Sequence, residues 1–78
     1  MLVNIYPNPT HDILNIQLSQ PESVQQIDVY TVSGKLVKSE KTIAQSVHQI
    51  NLGTMGRGLY IIRIITDSGI ITRKVNKL

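Results

Sequence analysis

Met55-Gly56-Arg57-Gly58-Leu59-Tyr60-Ile61-Ile62 carries the sharpest structural signal in the chain. An apolar residue, a glycine and a tyrosine stand there at the offsets of a tyrosine corner. That device precedes the penultimate strand of Greek-key sandwiches and ties the tyrosine hydroxyl to upstream backbone. Antibody domains place a cysteine two residues after the tyrosine; here the position holds Ile62. The spacing predicts an all-β, immunoglobulin-like antiparallel β-sandwich in which a packed aliphatic stands where the disulfide would be.

Working outward, the apolar residues keep a period of two, the period of a half-buried strand. Leu14, Ile16 and Leu18 alternate with Asn15, Gln17 and Ser19; Ile27 and Val29 alternate with Asp28 and Tyr30. Ile50 and Leu52 face one way in the run from Val47, and Tyr60, Ile62 and Ile64 repeat the pattern. A closing run from Ile70 to Leu78 sets Ile71, Arg73 and Val75 against Thr72, Lys74 and Asn76, as in a partly exposed strand. No segment shows a helical stripe.

Turn chemistry separates these runs: Pro7-Asn8-Pro9, Gln20-Pro21-Glu22-Ser23, Ser33-Gly34, Gly53 to Gly58 and Asp67-Ser68-Gly69. The turns recur every 10–15 residues or so, the spacing of a sandwich or barrel of about seven short strands. Pro7 and Pro9 cannot donate to a ladder, so they close the first strand and steer the chain to the second. Ser33-Gly34 and Ser68-Gly69 read as hairpin tips.

The chain has 78 residues, 41% of them hydrophobic and 17% charged, with no cysteine and a formal net charge of +3. That composition describes one small domain with a modest core, which leaves little room for a catalytic cleft. Without cysteine there is no disulfide framework, zinc finger, iron–sulfur cluster or thiol nucleophile. No apolar run approaches the roughly 20 residues that span a bilayer. Met1-Leu2-Val3-Asn4 lacks the basic and apolar regions of a signal peptide, so any export signal is expected upstream, in a longer chain from which this domain is cut.

Candidate chemistry is sparse. Asp12, Glu22, Asp28, Glu40 and Asp67 are spread so that no two share a strand face, which leaves paired-carboxylate hydrolysis without support. His11 and His48 lack a third ligand at metal-binding spacing and read as surface or turn histidines. No nucleophile elbow surrounds any serine or threonine. Gly53-Thr54-Met55-Gly56-Arg57-Gly58 is followed by a strand rather than a helix, so a sandwich corner explains it better than a phosphate or nucleic-acid loop. Pro9 disqualifies Asn8-Pro9-Thr10 as a glycosylation sequon. No enzyme, metal or cofactor is expected.

Positive charge gathers at Arg57, Arg63, Arg73, Lys74 and Lys77, with Lys35, Lys38 and Lys41 in a middle hairpin. Nucleic-acid binding would need an aromatic stacking face or a dense basic groove, and isolated tyrosines supply neither. Most of these cations are expected to solvate edge strands, where lysine discourages edge-to-edge pairing.

Four blocks in order carry a resemblance. They are Tyr6-Pro7-Asn8-Pro9 with Leu14 and Ile16 downstream; Val29-Tyr30 followed by Ser33-Gly34-Lys35 and Val37; Ile50-Asn51-Leu52 leading to Gly58-Leu59-Tyr60; and Lys74-Val75-Asn76-Lys77-Leu78. Together they resemble the C-terminal sorting domain of the type IX secretion system, the type A Por secretion tail, over residues 3 to 78. Thr31 stands where that family often has aspartate, Lys35 where arginine is common and Met55 where leucine is usual.

The resemblance implies one sorting domain over residues 1–78, covalently joined to an N-terminal cargo. Such cargo crosses the inner membrane on its own signal peptide, folds in the periplasm and passes through an outer-membrane translocon to the cell surface or the medium. A sortase-like peptidase commonly removes the tail in the linker upstream of Tyr6 and attaches the cargo to lipopolysaccharide. On this reading the translocon recognises the hairpin at Gly34 and Lys35 together with Lys74, Val75, Lys77 and Leu78. Tyr6, Pro7, Asn8, Pro9, Gly58 and Tyr60 then serve backbone geometry and core. No nucleic acid, no membrane insertion and at most weak self-association are expected. The rival reading is a stand-alone immunoglobulin-like adhesion or carbohydrate-binding module of an extracellular enzyme.

Overall fold

A computed structural model describes residues 1–42 and 44–78. Seven strands follow one another: β1 (Val3–Tyr6), β2 (Ile13–Leu18), β3 (Val24–Thr31), β4 (Leu36–Lys41), β5 (Val47–Asn51), β6 (Gly58–Thr66) and β7 (Gly69–Lys77). One 3-10 turn, Pro21–Ser23, joins β2 to β3. The strands form a three-stranded sheet in the order β1-β2-β5 and a four-stranded sheet in the order β4-β3-β6-β7. Every neighbouring pair is antiparallel. The all-β reading holds, and no helix among the described residues is long and apolar enough to cross a membrane.

The period of two explains which face of each strand turns inward. Leu14, Ile16 and Leu18 from β2, Val24, Ile27 and Val29 from β3, and Tyr60, Ile62 and Ile64 from β6 are buried, and Ile50, Leu52 and Val75 complete the core between the sheets. Ile62 lies at the centre, opposite Val29 on one side and Arg73 on the other, with no exposed surface.

The tyrosine corner forms as its spacing predicts. The Tyr60 hydroxyl donates to the Gly56 carbonyl at 2.7 Å, and the ring is only 8% exposed. Gly58, at a φ of +143°, takes a conformation that side-chain-bearing residues rarely adopt, which lets the chain turn sharply into β6. Tyr60→Phe leaves the ring in place but deprives the carbonyl of its donor. It is expected to lower stability by about 1 kcal/mol, read as a lower urea midpoint at unchanged slope.

Several side chains sit where alternation alone does not put them. Asp28 points to the outer face of the four-stranded sheet yet is only 5% exposed. Gln26 Nε2 and Ser39 Oγ donate to its Oδ1 at 2.8 and 2.6 Å, and the Tyr30 hydroxyl reaches Oδ2 at 3.5 Å. The Arg63 guanidinium lies 5.6 Å from the centre of the Tyr30 ring, a cation–π distance. His48, read from sequence as a surface or turn residue, is instead a half-buried strand residue of β5. Its Nε2 is 3.3 Å from Glu40 Oε1, within ion-pair reach but not aligned as a hydrogen bond. Lys38 Nζ donates to the Asn51 carbonyl at 3.1 Å, so β4 and β5 are stitched across the two sheets.

Candidate recognition site

Strand β7 lies at the edge of the four-stranded sheet, with β6 on its inner side. Successive residues of a strand point their backbone polar groups alternately to the two neighbours. In β7 the even-numbered residues face away from β6. Asn8 uses that pattern, because its side chain behaves like a short piece of strand. Nδ2 donates to the Lys74 carbonyl at 3.2 Å, and Oδ1 accepts the Asn76 N–H at 3.0 Å.

Thr10 continues the pairing with main chain. Its N–H donates to the Asn76 carbonyl at 2.9 Å, and its carbonyl accepts the Leu78 N–H at 2.8 Å, in a parallel bridge centred on Lys77. Thr10 is almost fully buried, and its hydroxyl donates to the Ile13 carbonyl at 2.8 Å. The segment from Tyr6 to Thr10 is thus a strap that leaves the three-stranded sheet and latches the outer edge of residues 74–78. Proline fixes φ at Pro7 and Pro9 and biases Tyr6 and Asn8 toward extended backbone, so little conformational freedom is left to lose when the strap closes. Tyr6, Pro7, Asn8 and Pro9 are themselves exposed.

Asn8→Ala removes both side-chain bonds while the exposed backbone groups they served turn to water. A loss of about 1 kcal/mol in stability is expected, with faster hydrogen exchange at the Asn76 amide as its local signature. Unchanged exchange at Asn76 would mean that the strap does not hold the strand.

At the other edge, the β3–β4 hairpin closes through the Thr31 N–H to the Lys35 carbonyl at 2.9 Å and the Gly34 N–H to the Thr31 carbonyl at 3.0 Å. Gly34 takes a φ of +93°, which suits glycine. The Thr31 hydroxyl accepts the Lys35 N–H at 3.1 Å, so threonine supplies the turn-closing acceptor that a short acidic side chain would give. Thr31 pairs with Tyr60, and Tyr60 with Val75. The hairpin and residues 74–78 therefore share one end of the sheet. Three strand spacings, roughly 14 Å, separate β4 from β7, so the two groups stand at the same end of the sheet without touching each other.

Two residues of the expected recognition set are corrected by their burial. Val75 has no exposed surface and belongs to the core, so its side chain cannot meet a partner while the domain is folded. Lys77 is 8% exposed; its stem lies along the inward face of β7, and its Nζ donates back to the Leu78 carbonyl at 2.9 Å. Gly34, Lys35, Lys74 and Leu78 are exposed, and Leu78 leaves 44% of its surface open. The strap bonds of Asn8 were not foreseen from sequence, which assigned Pro7-Asn8-Pro9 only a turn. No group of His, Cys, Asp or Glu among the described residues is arranged to hold a metal ion.

Residues 4–77 match the family of secretion system C-terminal sorting domains, and the chain belongs to that family, the sorting tail of type IX secretion. It is therefore a C-terminal sorting domain, a module that a secretion system recognises. A relative from Nonlabens ulvanivorans, ulvan lyase NLR42, is 36% identical over 65 residues, which cover 83% of this chain and 12% of the relative. The chain thus spans about an eighth of the length of that relative, and the likeness falls on the tail.

Proposed function

We propose that this domain directs its cargo across the outer membrane by presenting one end of its four-stranded sheet to the type IX translocon. Lys35, Lys74 and Leu78 are the contacts. Gly34 shapes the hairpin that carries Lys35, and the strap from Tyr6 to Thr10 fixes the strand that carries Lys74 and Leu78. The match across residues 4–77 is the observation that supports the role. The exposed residues at one end of the sheet support the placement of the contact.

The remaining steps follow the same reading. Cargo with its own export signal reaches the periplasm, the folded tail is engaged there, and the product appears at the cell surface or in the medium. A sortase-like peptidase cuts upstream of Tyr6 and attaches the cargo to the surface. The relative's name makes a polysaccharide lyase one class of cargo for such a tail.

Deleting residues 74–78 would not test recognition, because it also removes buried Val75 and the partner of the strap. Reversing the two exposed charges does. A reporter with an export signal, fused to residues 3–78 carrying Lys35→Glu and Lys74→Glu, is expected to leave a secretion-competent cell at least about tenfold less than the unaltered fusion, because charge reversal at a contact rim slows productive encounter. Its melting temperature should be unchanged. Export equal to that of the unaltered fusion would remove these lysines from the contact.

A further inference from the structure

A seven-stranded sandwich has four sheet edges, and here they are not equally protected. Strand β1 has four residues and runs into Pro7. In β5 the Asn51 carbonyl is taken by Lys38. Strand β4 is lined with Lys38, Glu40 and Lys41, charges that discourage strand addition. Strand β7 is covered only over its second half by the strap.

Among the described residues, the outward backbone of β7 from Ile70 to the Lys74 N–H meets no neighbouring strand, and the strap begins only at the Lys74 carbonyl. The parity fixed by Asn76 and Leu78 turns the N–H groups of Ile70, Thr72 and Lys74 outward, and the only bond to the Thr72 carbonyl among the described residues comes from the neighbouring Arg73 side chain, at 3.1 Å. The same edge already accepts an extended segment a few residues further on, where Thr10 pairs beside Lys77. Ile70 is 51% exposed.

We propose that this open half of β7 docks an extended, acidic segment of a partner protein as an added strand. The proposal rests on reading the domain as a recognised module and adds the mode of recognition and the chemistry of the partner. Main-chain bonds to an edge strand give affinity without a pocket, and alternate side chains give selectivity. Arg73 and Lys74 project to opposite faces of β7, and Arg63 stands beside Thr72 on β6. None of the three forms an ion pair among the described residues. The nearby carboxylates are already engaged: Asp67 accepts from Gln25 at 2.6 Å, and Asp28 is enclosed by its donors. A partner strand with acidic residues on both faces satisfies these cations. A second copy of the chain would set one basic strand against another and is the poorer occupant.

The test is a titration of the isotopically labelled domain with a synthetic nonapeptide in which pairs of glutamates alternate with pairs of valines, so that an extended strand carries carboxylates on both faces, followed by amide chemical shifts. The expected result is a dissociation constant near or below about 1 mM, with shifts centred on Ile70, Thr72 and Lys74. Thr72→Pro deletes an outward N–H and leaves the β6 ladder intact, so it should weaken binding at least about tenfold while the spectrum stays folded. Should that variant not fold, Arg73→Glu with Lys74→Glu takes its place and should transfer preference to the matching lysine–valine peptide. Shifts centred on β4, no binding at millimolar peptide, equal binding by the lysine–valine peptide, or Thr72→Pro binding undiminished would each overturn the proposal. In the export assay, Thr72→Pro secreted as well as the unaltered tail would overturn it too, whereas an unaltered tail that is not exported counts against the sorting reading and leaves the titration to judge the edge.

Discussion

Replacing Ile62 with alanine is expected to remove about 2–5 kcal/mol of stability. The side chain is fully buried at the centre of β6, between Val29 and Arg73. It occupies the place where a bridged sandwich keeps a cysteine, so the inter-sheet contact there rests on packing alone. A domain of this length has a total stability of order 4–12 kcal/mol, which makes the loss a large share of the whole. The melting temperature should fall by roughly 10 °C or more. Urea unfolding checks the value, and a change below about 1 kcal/mol would mean that the neighbouring strands collapse onto the cavity.

Adjacent residues of β7 should separate folding from recognition. Val75→Asp places a carboxylate in a fully buried position without a partner and is expected to cost 3 kcal/mol or more, leaving the domain largely unfolded. Lys74→Glu, one residue away on the exposed face, should change stability by no more than about 0.5 kcal/mol. Both variants are expected to lose export, the first because the domain is unfolded and the second because it reverses the charge of a proposed contact. Circular dichroism beside the export assay tells these apart. A folded Val75→Asp, or an unfolded Lys74→Glu, would contradict the placement of the two faces of β7.

Much of this architecture is legible in the chain because its governing signals are local. Alternation over Leu14, Ile16 and Leu18 and over Tyr60, Ile62 and Ile64 sets the buried faces, and the spacing from Gly56 to Tyr60 predicts a hydroxyl–carbonyl bond that is present. Strand β4 is harder to see, since Leu36-Val37-Lys38-Ser39-Glu40-Lys41 does not alternate cleanly and its pairing with β3 slips between Val29 and Tyr30.

The features that were missed depend on long-range partners. Asn8 bonds to residues 66 and 68 positions away, and nothing in Pro7-Asn8-Pro9 says which edge it meets. Asp28 reads as one of several scattered carboxylates until Ser39 is brought opposite it by the β3–β4 register. In sequence Val75 and Lys77 group with Lys74 because all three lie in one motif. Parity along β7 divides them, and the inward face of the strand continues through Lys77 to the end of the pairing.

If the sorting reading holds, residues 3–78 suffice to send a protein out through the type IX system. The most direct measurement follows a fluorescent reporter carrying an export signal and this tail in two hosts that differ only in that machinery. Reporter is expected at the cell surface or in the medium of the competent host and in the periplasm of the other. Reporter confined to the periplasm of both would contradict the sorting reading.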